Sequence, residues 1–202
     1  MSAVIFPFLT NIGSEPGSNN SFGERYVKPF KDVFDIYSDR TAANKIDPDS
    51  VAYEVQSNSR TNSEGDLIFG VTVLNPGLVG EEFRMTRGHL HELSNRAEIY
   101  YCLSGNGVML MDDSSGKTEA VPMSSGDIVY VPGHWIHRSV NVGDTPLVTL
   151  FCFSSDAGQN YSIIGEYNGM AMKVVTDGRG GWQLSKNESY VRFSTDEYRP
   201  DI

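Results

Sequence analysis

Gly88-His89-Leu90-His91-Glu92-Leu93-Ser94-Asn95-Arg96-Ala97-Glu98-Ile99-Tyr100 is the stretch on which the fold turns. Successive side chains alternate faces along a strand, so His89 and His91 point the same way. Glu98 has the opposite parity to His91. It reaches the same point only if a turn and a new strand intervene, and Leu93-Ser94-Asn95-Arg96 is polar enough to be that turn. Far downstream, Pro132-Gly133-His134-Trp135-Ile136-His137 adds imidazoles. Two or three imidazoles plus one carboxylate suit a divalent first-row metal such as iron, manganese, nickel or zinc, with coordination positions left open for a substrate. The chain has only four histidines. Three of them, with Glu98, make the expected ligand set: His89, His91, Glu98 and His137. His134 lies three residues before His137, out of phase for a shared strand face. It reads as a loop residue or a support for a ligand.

Working outward, Gly126 is followed by the strand-like Asp-Ile-Val-Tyr-Val, then Pro132, His137 and Asn141. Together with the first stretch, this resembles the two motifs of the cupin superfamily. Further strand-like runs are Ser50–Gln56, Leu67–Leu74, Glu82–Arg87, Glu98–Leu103, Gly107–Met111, Thr118–Val121, Asp127–Val131, His137–Asn141, Leu147–Phe153 and Ala171–Val175. The separators are turn-formers such as Asn75-Pro76-Gly77, Ser104-Gly105-Asn106 and Ser63-Glu64-Gly65-Asp66. Short strands at even spacing argue for an antiparallel sandwich or barrel. The fold expected is all-β: a cupin double-stranded β-helix, an antiparallel jelly-roll barrel, with an N-terminal arm and short peripheral helices. Residues 1–49 read as the arm and peripheral elements, 50–175 as the barrel and 176–202 as a C-terminal segment. A short helix is expected to start near Asp32.

The length of 202 residues suits one domain. A net charge of −10 argues against nucleic acid or an anionic membrane as partner. Cys102 and Cys152 sit in apolar strand-like runs and read as reduced core residues. The N-terminus has no basic start and no long apolar stretch, so no signal peptide is expected, and no run approaches membrane-spanning length. A cytoplasmic protein is the expectation.

From about Ser50 to Gly165 the chain is similar to the cupin-type phosphoglucose isomerases. The segments that carry the likeness are Val51-Ala-Tyr53-Glu-Val, Glu64-Gly-Asp-Leu, Asn75-Pro-Gly-Leu-Val-Gly, Thr86-Arg-Gly-His-Leu-His, Arg96-Ala-Glu-Ile-Tyr100, Pro132-Gly-His-Trp-Ile-His-Arg138 and Ser155-Asp-Ala-Gly158 with Tyr161. The resemblance implies a homodimer, often iron-dependent, that interconverts glucose 6-phosphate and fructose 6-phosphate. It implies one divalent ion per chain, Fe2+ before Mn2+, Ni2+ or Zn2+. By position it assigns the metal to His89, His91, Glu98 and His137, the substrate phosphate to Thr72, Thr86 and Gly88, and the sugar pocket to Tyr53, Tyr100 and Tyr161. Thr86 and Gly88 share one parity while His89 and His91 have the other. All four face one pocket only if the strand kinks, and Gly88 is the residue that supplies a bulge. Two departures stand out: Phe153 replaces a usual tyrosine near the phosphate, and Gln159 replaces a usual histidine.

Aldose–ketose isomerisation needs a base above C1 and C2 and an electrophile for the enediolate oxygens. A metal with open positions is that electrophile, and Glu98 is the candidate base, with Tyr100 or Tyr161 relaying protons. A hydride shift would use the same residues. Arg87 or Arg138 would supply charge to the phosphate. The alternatives are isomerisation of another phosphosugar such as mannose 6-phosphate, a non-haem iron cupin oxygenase, or a sugar-binding cupin without turnover.

Overall fold

Alternating apolar residues become antiparallel strands along almost the whole chain. The computed structural model describes residues 8–12, 22–58, 65–113 and 115–191. Ser63 and Glu64 of one expected turn, residues 1–7 and 13–21 of the expected N-terminal arm and residues 192–202 lie outside the described residues.

The strands are β1 (Glu24–Pro29), β2 (Val51–Ser57), β3 (Leu67–Leu74), β4 (Leu78–Val79), β5 (Glu82–Phe83), β6 (Glu98–Ser104), β7 (Asn106–Asp112), β8 (Thr118–Ser124), β9 (Ile128–Val131), β10 (Ile136–Asn141), β11 (Leu147–Ser154), β12 (Met172–Thr176) and β13 (Trp182–Lys186). Helical turns are few and short: two 3-10 turns at Phe30–Asp32 and Phe34–Ile36, α1 (Arg40–Ala43) and α2 (Ser162–Glu166). The 3-10 turns stand where the sequence places a short helix.

Strands β1-β2-β3-β11-β6-β9 form one sheet, β10-β7-β8 a second, and β13-β12-β5-β4 a third. Every strand pairing is antiparallel. The first two sheets face each other as the layers of the jelly-roll barrel, and one continuous core fills the space between them, with Leu74, Cys102, Val108, Met109, Val129 and Leu147 almost fully buried. Both cysteines are free, Cys102 buried and Cys152 half-buried. Among the described residues, no helix is long and apolar enough to cross a membrane.

Several strands differ from the sequence reading. The run Glu82–Arg87 is strand only at Glu82–Phe83. Beyond it, residues 85–90 are held by isolated bridges, Met85 to Val140, His89 to His137 and Leu90 to Asn160. Strand β8 continues past Val121 through Pro122 to Ser124. It is the edge of its sheet, where a missing N–H breaks no ladder bond. Strands β1 and β13 have no counterpart in the sequence reading. The first extends the large sheet by pairing with β2, and the second closes a hairpin with β12 across the turn Asp177–Gly181.

Candidate active site

The segment 85–91 runs alongside β10. Met85 faces Val140 and His89 faces His137. Three residues therefore separate the bridges on one side and two on the other, so one residue is extra. That is a β-bulge. Gly88 absorbs it at φ +83, a left-handed conformation open to glycine at little cost. The bulge resets the parity, so Thr86 and Gly88 on one side of it and His89 and His91 on the other all turn toward the barrel interior. After His91 the chain turns, with Arg96 N–H bonded to the Leu93 carbonyl at 2.9 Å, and β6 begins at Glu98. Both features are those the parity argument requires.

Ligand atoms of His89, His91, Glu98 and His137 all lie within 4.8 Å of one another, and all four residues are buried. Glu98 Oε2 stands 3.0 Å from His137 Nε2, 3.3 Å from His91 Nε2 and 3.8 Å from His89 Nε2. The outer nitrogens are anchored: His91 Nδ1 lies 2.9 Å from the Arg96 carbonyl and His137 Nδ1 3.1 Å from the Trp135 carbonyl. A carbonyl only accepts, so both Nδ1 atoms carry a proton, and in the neutral ring each Nε2 presents a lone pair to the carboxylate. Lone pairs gathered around a carboxylate repel unless a cation sits among them. His91 Nε2 is buried with no hydrogen-bond partner. Burial and the neighbouring His137 hold the His89 imidazole well below its usual range, so it is neutral and fit to ligate. Burial pushes the Glu98 carboxyl upward, but His137 and His91 outweigh it and bring it down to about 2. Neutral imidazoles and an ionised carboxylate are the protonation states a metal needs; His89 and Glu98 are already in them, and the donor set fits a divalent ion. His134 is not in the cluster. It sits in the turn before β10 at φ +69 with its N–H bonded to the Ser94 carbonyl.

Above this cluster is a cavity of about 260 Å³. At the cluster end it is walled by His89, Glu98, Tyr100, Phe153, Gln159 and Tyr161, and elsewhere by Tyr53, Thr72, Thr86, Arg87, Gly88 and Ser139. The structure thus brings the expected site residues together. His91 and His137 complete the cluster. The Tyr100 hydroxyl donates to Glu98, and burial with that carboxylate raises its phenol well above the usual range. Thr86 Oγ1 accepts from Ser139 N–H at 3.1 Å. The Tyr161 hydroxyl donates to Gln159 Oε1 at 2.6 Å, and Gln159 Nε2 is 3.4 Å from His89 Nε2. Gln159 therefore links Tyr161 to the His89 ring. Phe153 stands beside the His91 ring at 5.6 Å between centroids and cross-strand from Glu98.

Of the two arginines offered for the phosphate, only Arg87 lines this cavity. Its guanidinium is paired with Asp35 at 2.5 and 2.9 Å. Arg138 belongs to the other face of β10, because its parity is opposite to that of His137. Sequence reasoning missed Glu24 and Tyr26, which β1 brings to the cavity wall. The signal was faint: a short, largely exposed edge strand ending in a proline.

A protein-family model described as glucose-6-phosphate isomerase (GPI) matches residues 27–192. A glucose-6-phosphate isomerase of Sinorhizobium medicae is 39% identical over 193 residues, covering 94% of this chain and 90% of that protein. One from Thermococcus gammatolerans is 42% identical over 173 residues, covering 85% and 90%. Among solved structures, a Bacillus subtilis oxalate decarboxylase is 30% identical over 53% of this chain, with a TM-score of 0.44, and the chain spans about a quarter (27%) of that protein.

Proposed function

The chain belongs to the glucose-6-phosphate isomerase family in its cupin form, and from that premise we propose how its residues divide the work of interconverting glucose 6-phosphate and fructose 6-phosphate. One observation carries the reading: a buried cluster of three histidines and a glutamate borders, through His89 and Glu98, a cavity that also presents Thr72, Thr86, Gly88 and Arg87. Among Fe2+, Mn2+, Ni2+ and Zn2+, which all suit nitrogen-rich sites with one carboxylate, iron is the ion the family likeness favours. His89, His91, Glu98 and His137 would hold a divalent cation, which would supply positive charge for the oxygens at C1 and C2.

The sugar lies with C1 and C2 at the cluster and its phosphate toward Thr72, Thr86 and the backbone at Gly88. Along β3, Thr72 is four residues from Ile68, which pairs opposite Phe153 at the Glu98 level. That is roughly 13 Å of strand, and side chains at both ends shorten it to the span of a phosphorylated hexose. Glu98 takes the proton from one carbon and returns it to the other. The Tyr100 hydroxyl, bonded to that carboxylate, steadies its charge in the low-dielectric interior. Tyr53, buried with its hydroxyl accepting from the Arg87 backbone N–H, forms a fixed wall for the sugar. Tyr161 and Gln159 close the mouth beside His89.

The same reading includes a homodimer. Ile99, Ile128 and Tyr130 support it, being 38%, 66% and 61% exposed on the outer face of β6 and β9, with Ile99 and Tyr130 directly paired. It also places the enzyme in the cytoplasm, where hexose phosphates are. The test is metal-stripped protein reconstituted with single metals and assayed for fructose 6-phosphate conversion. Activity restored by one or more of these ions supports the assignment. Full activity without metal, or none with any metal, refutes it.

A further inference from the structure

A second cavity, of about 580 Å³, lies on the opposite side of β10 from the metal cluster. Its wall comes from the residues after the second 3-10 turn (Tyr37, Ser38), from α1 (Arg40), from β10 (Arg138, Val140), from the loop after α2 and from β12 (Lys173). No step of the isomerisation uses it. We propose that it is a binding site for a small oxyanion-bearing metabolite, a carboxylate or a phosphate, with Arg138 as the central contact and Lys173 at the rim.

Arg138 is 4% exposed, yet among the described residues only one of its three guanidinium nitrogens has a partner: Nη1 donates to the Met85 sulfur at 2.9 Å, while Nε and Nη2 have none. No carboxylate pairs with it among the described residues. The neighbouring acids, Asp112 and Glu82, attract it without a hydrogen bond to it. Asp112 accepts from Thr118 Oγ1 and Ala171 N–H, and Glu82 accepts from Ser38 N–H. A guanidinium keeps its positive charge at neutral pH. A buried charge with open donors is costly unless something completes it, and a planar guanidinium matches carboxylate and phosphate oxygens. Lys173 adds a second charge with one long contact, 3.4 Å to Ser38 Oγ. Asp35, the other acid in the wall, is neutralised from outside by Arg87. The volume is more than twice that of the isomerase cavity, within the usual range for small-molecule sites.

The test uses metal-loaded protein saturated with sorbitol 6-phosphate, which lacks a carbonyl and fills the isomerase cavity without reacting. Inorganic phosphate and, separately, malonate are titrated calorimetrically. One further site per chain is expected for at least one of them, and the tighter anion identifies the ligand class. Lys173→Ala should weaken it about tenfold with turnover unchanged, and Arg138→Met should abolish it. If Arg138→Met does not fold, Lys173→Ala decides. No binding of either anion overturns the proposal, as does binding that Lys173→Ala leaves unchanged. Failure of sorbitol 6-phosphate to bind would count against the isomerase pocket alone, since the anions can then be titrated into the free protein with the same variants.

Discussion

Gly88→Ala asks whether the bulge is what assembles the metal ligands. At φ +83 an added Cβ would meet Arg138 Nε at 3.0 Å, Arg138 Cβ at 3.1 Å and the His137 carbonyl oxygen at 3.1 Å. The left-handed conformation costs a non-glycine residue about 1–2 kcal/mol. The contacts add to that, because a Cβ and a carbonyl on β10 cannot rotate out of the way, and forced packing of this kind costs about 1–3 kcal/mol. A stiffer unfolded chain gives back about 0.4–1 kcal/mol. The net loss is about 1–4.5 kcal/mol. Urea unfolding of metal-free protein measures the strain by itself. Metal content after dialysis measures the second effect, because the bridge between His89 and His137 is the one the methyl wedges apart. Metal affinity should fall at least tenfold, as for lost supporting contacts elsewhere. A metal-free midpoint equal to wild type within about 0.5 kcal/mol, with undiminished metal binding, would show that the bulge does not position the site.

Three further outcomes are expected. His91→Ala should cost most of the bound metal, because it removes a buried lone pair that has no other partner; metal content equal to wild type would remove His91 from the ligand set. Glu98→Gln should keep part of the metal but lower turnover by about 10²–10⁴, the range for a lost general base, and wild-type isomerisation in D2O should place deuterium on the product carbon. Unlabelled product would replace proton transfer through Glu98 with a hydride shift. Thr86→Val should raise KM for fructose 6-phosphate roughly tenfold or more with little change in kcat, since a hydrogen bond to a charged group is worth about 1.5–3 kcal/mol; an unchanged KM would move the phosphate elsewhere.

The metal cluster was legible in the sequence because its logic is local: two histidines at strand spacing, a polar turn, then a carboxylate of opposite parity. The bulge was legible too, since Thr86 and His89 share a pocket only if Gly88 breaks the alternation. What the sequence hid was set by distant partners. Strand β1 has almost no buried face and becomes a strand only because β2 offers it an edge. The continuation of β8 through Pro122 depends on its lying at the edge of its sheet. For β13 the signal existed: Asp177-Gly-Arg-Gly-Gly181 after β12 is a turn, and the alternating Trp182-Gln-Leu-Ser-Lys186 follows it. The assignment of Arg138 to the phosphate overlooked parity, the same rule that grouped the histidines.

Strand β10 joins these points. Its six residues Ile136-His-Arg-Ser-Val-Asn141 are all buried, yet four are polar. A strand covered on both faces ordinarily reads as an apolar run, because each buried polar group must find a partner. Here Ser139 N–H has Thr86 Oγ1, and Asn141 donates to the carbonyls of Leu74 and Thr145. His137 gives Nδ1–H to Trp135 and turns Nε2 to the metal cluster. Of the inward side chains, Asn141 is thus satisfied by the barrel and His137 is aimed at the cluster. Arg138, facing outward, is the exception, with two guanidinium nitrogens unanswered. The same accounting that makes the inner face of β10 a cation site makes its outer face an anion site, and the two lie one residue apart on one strand.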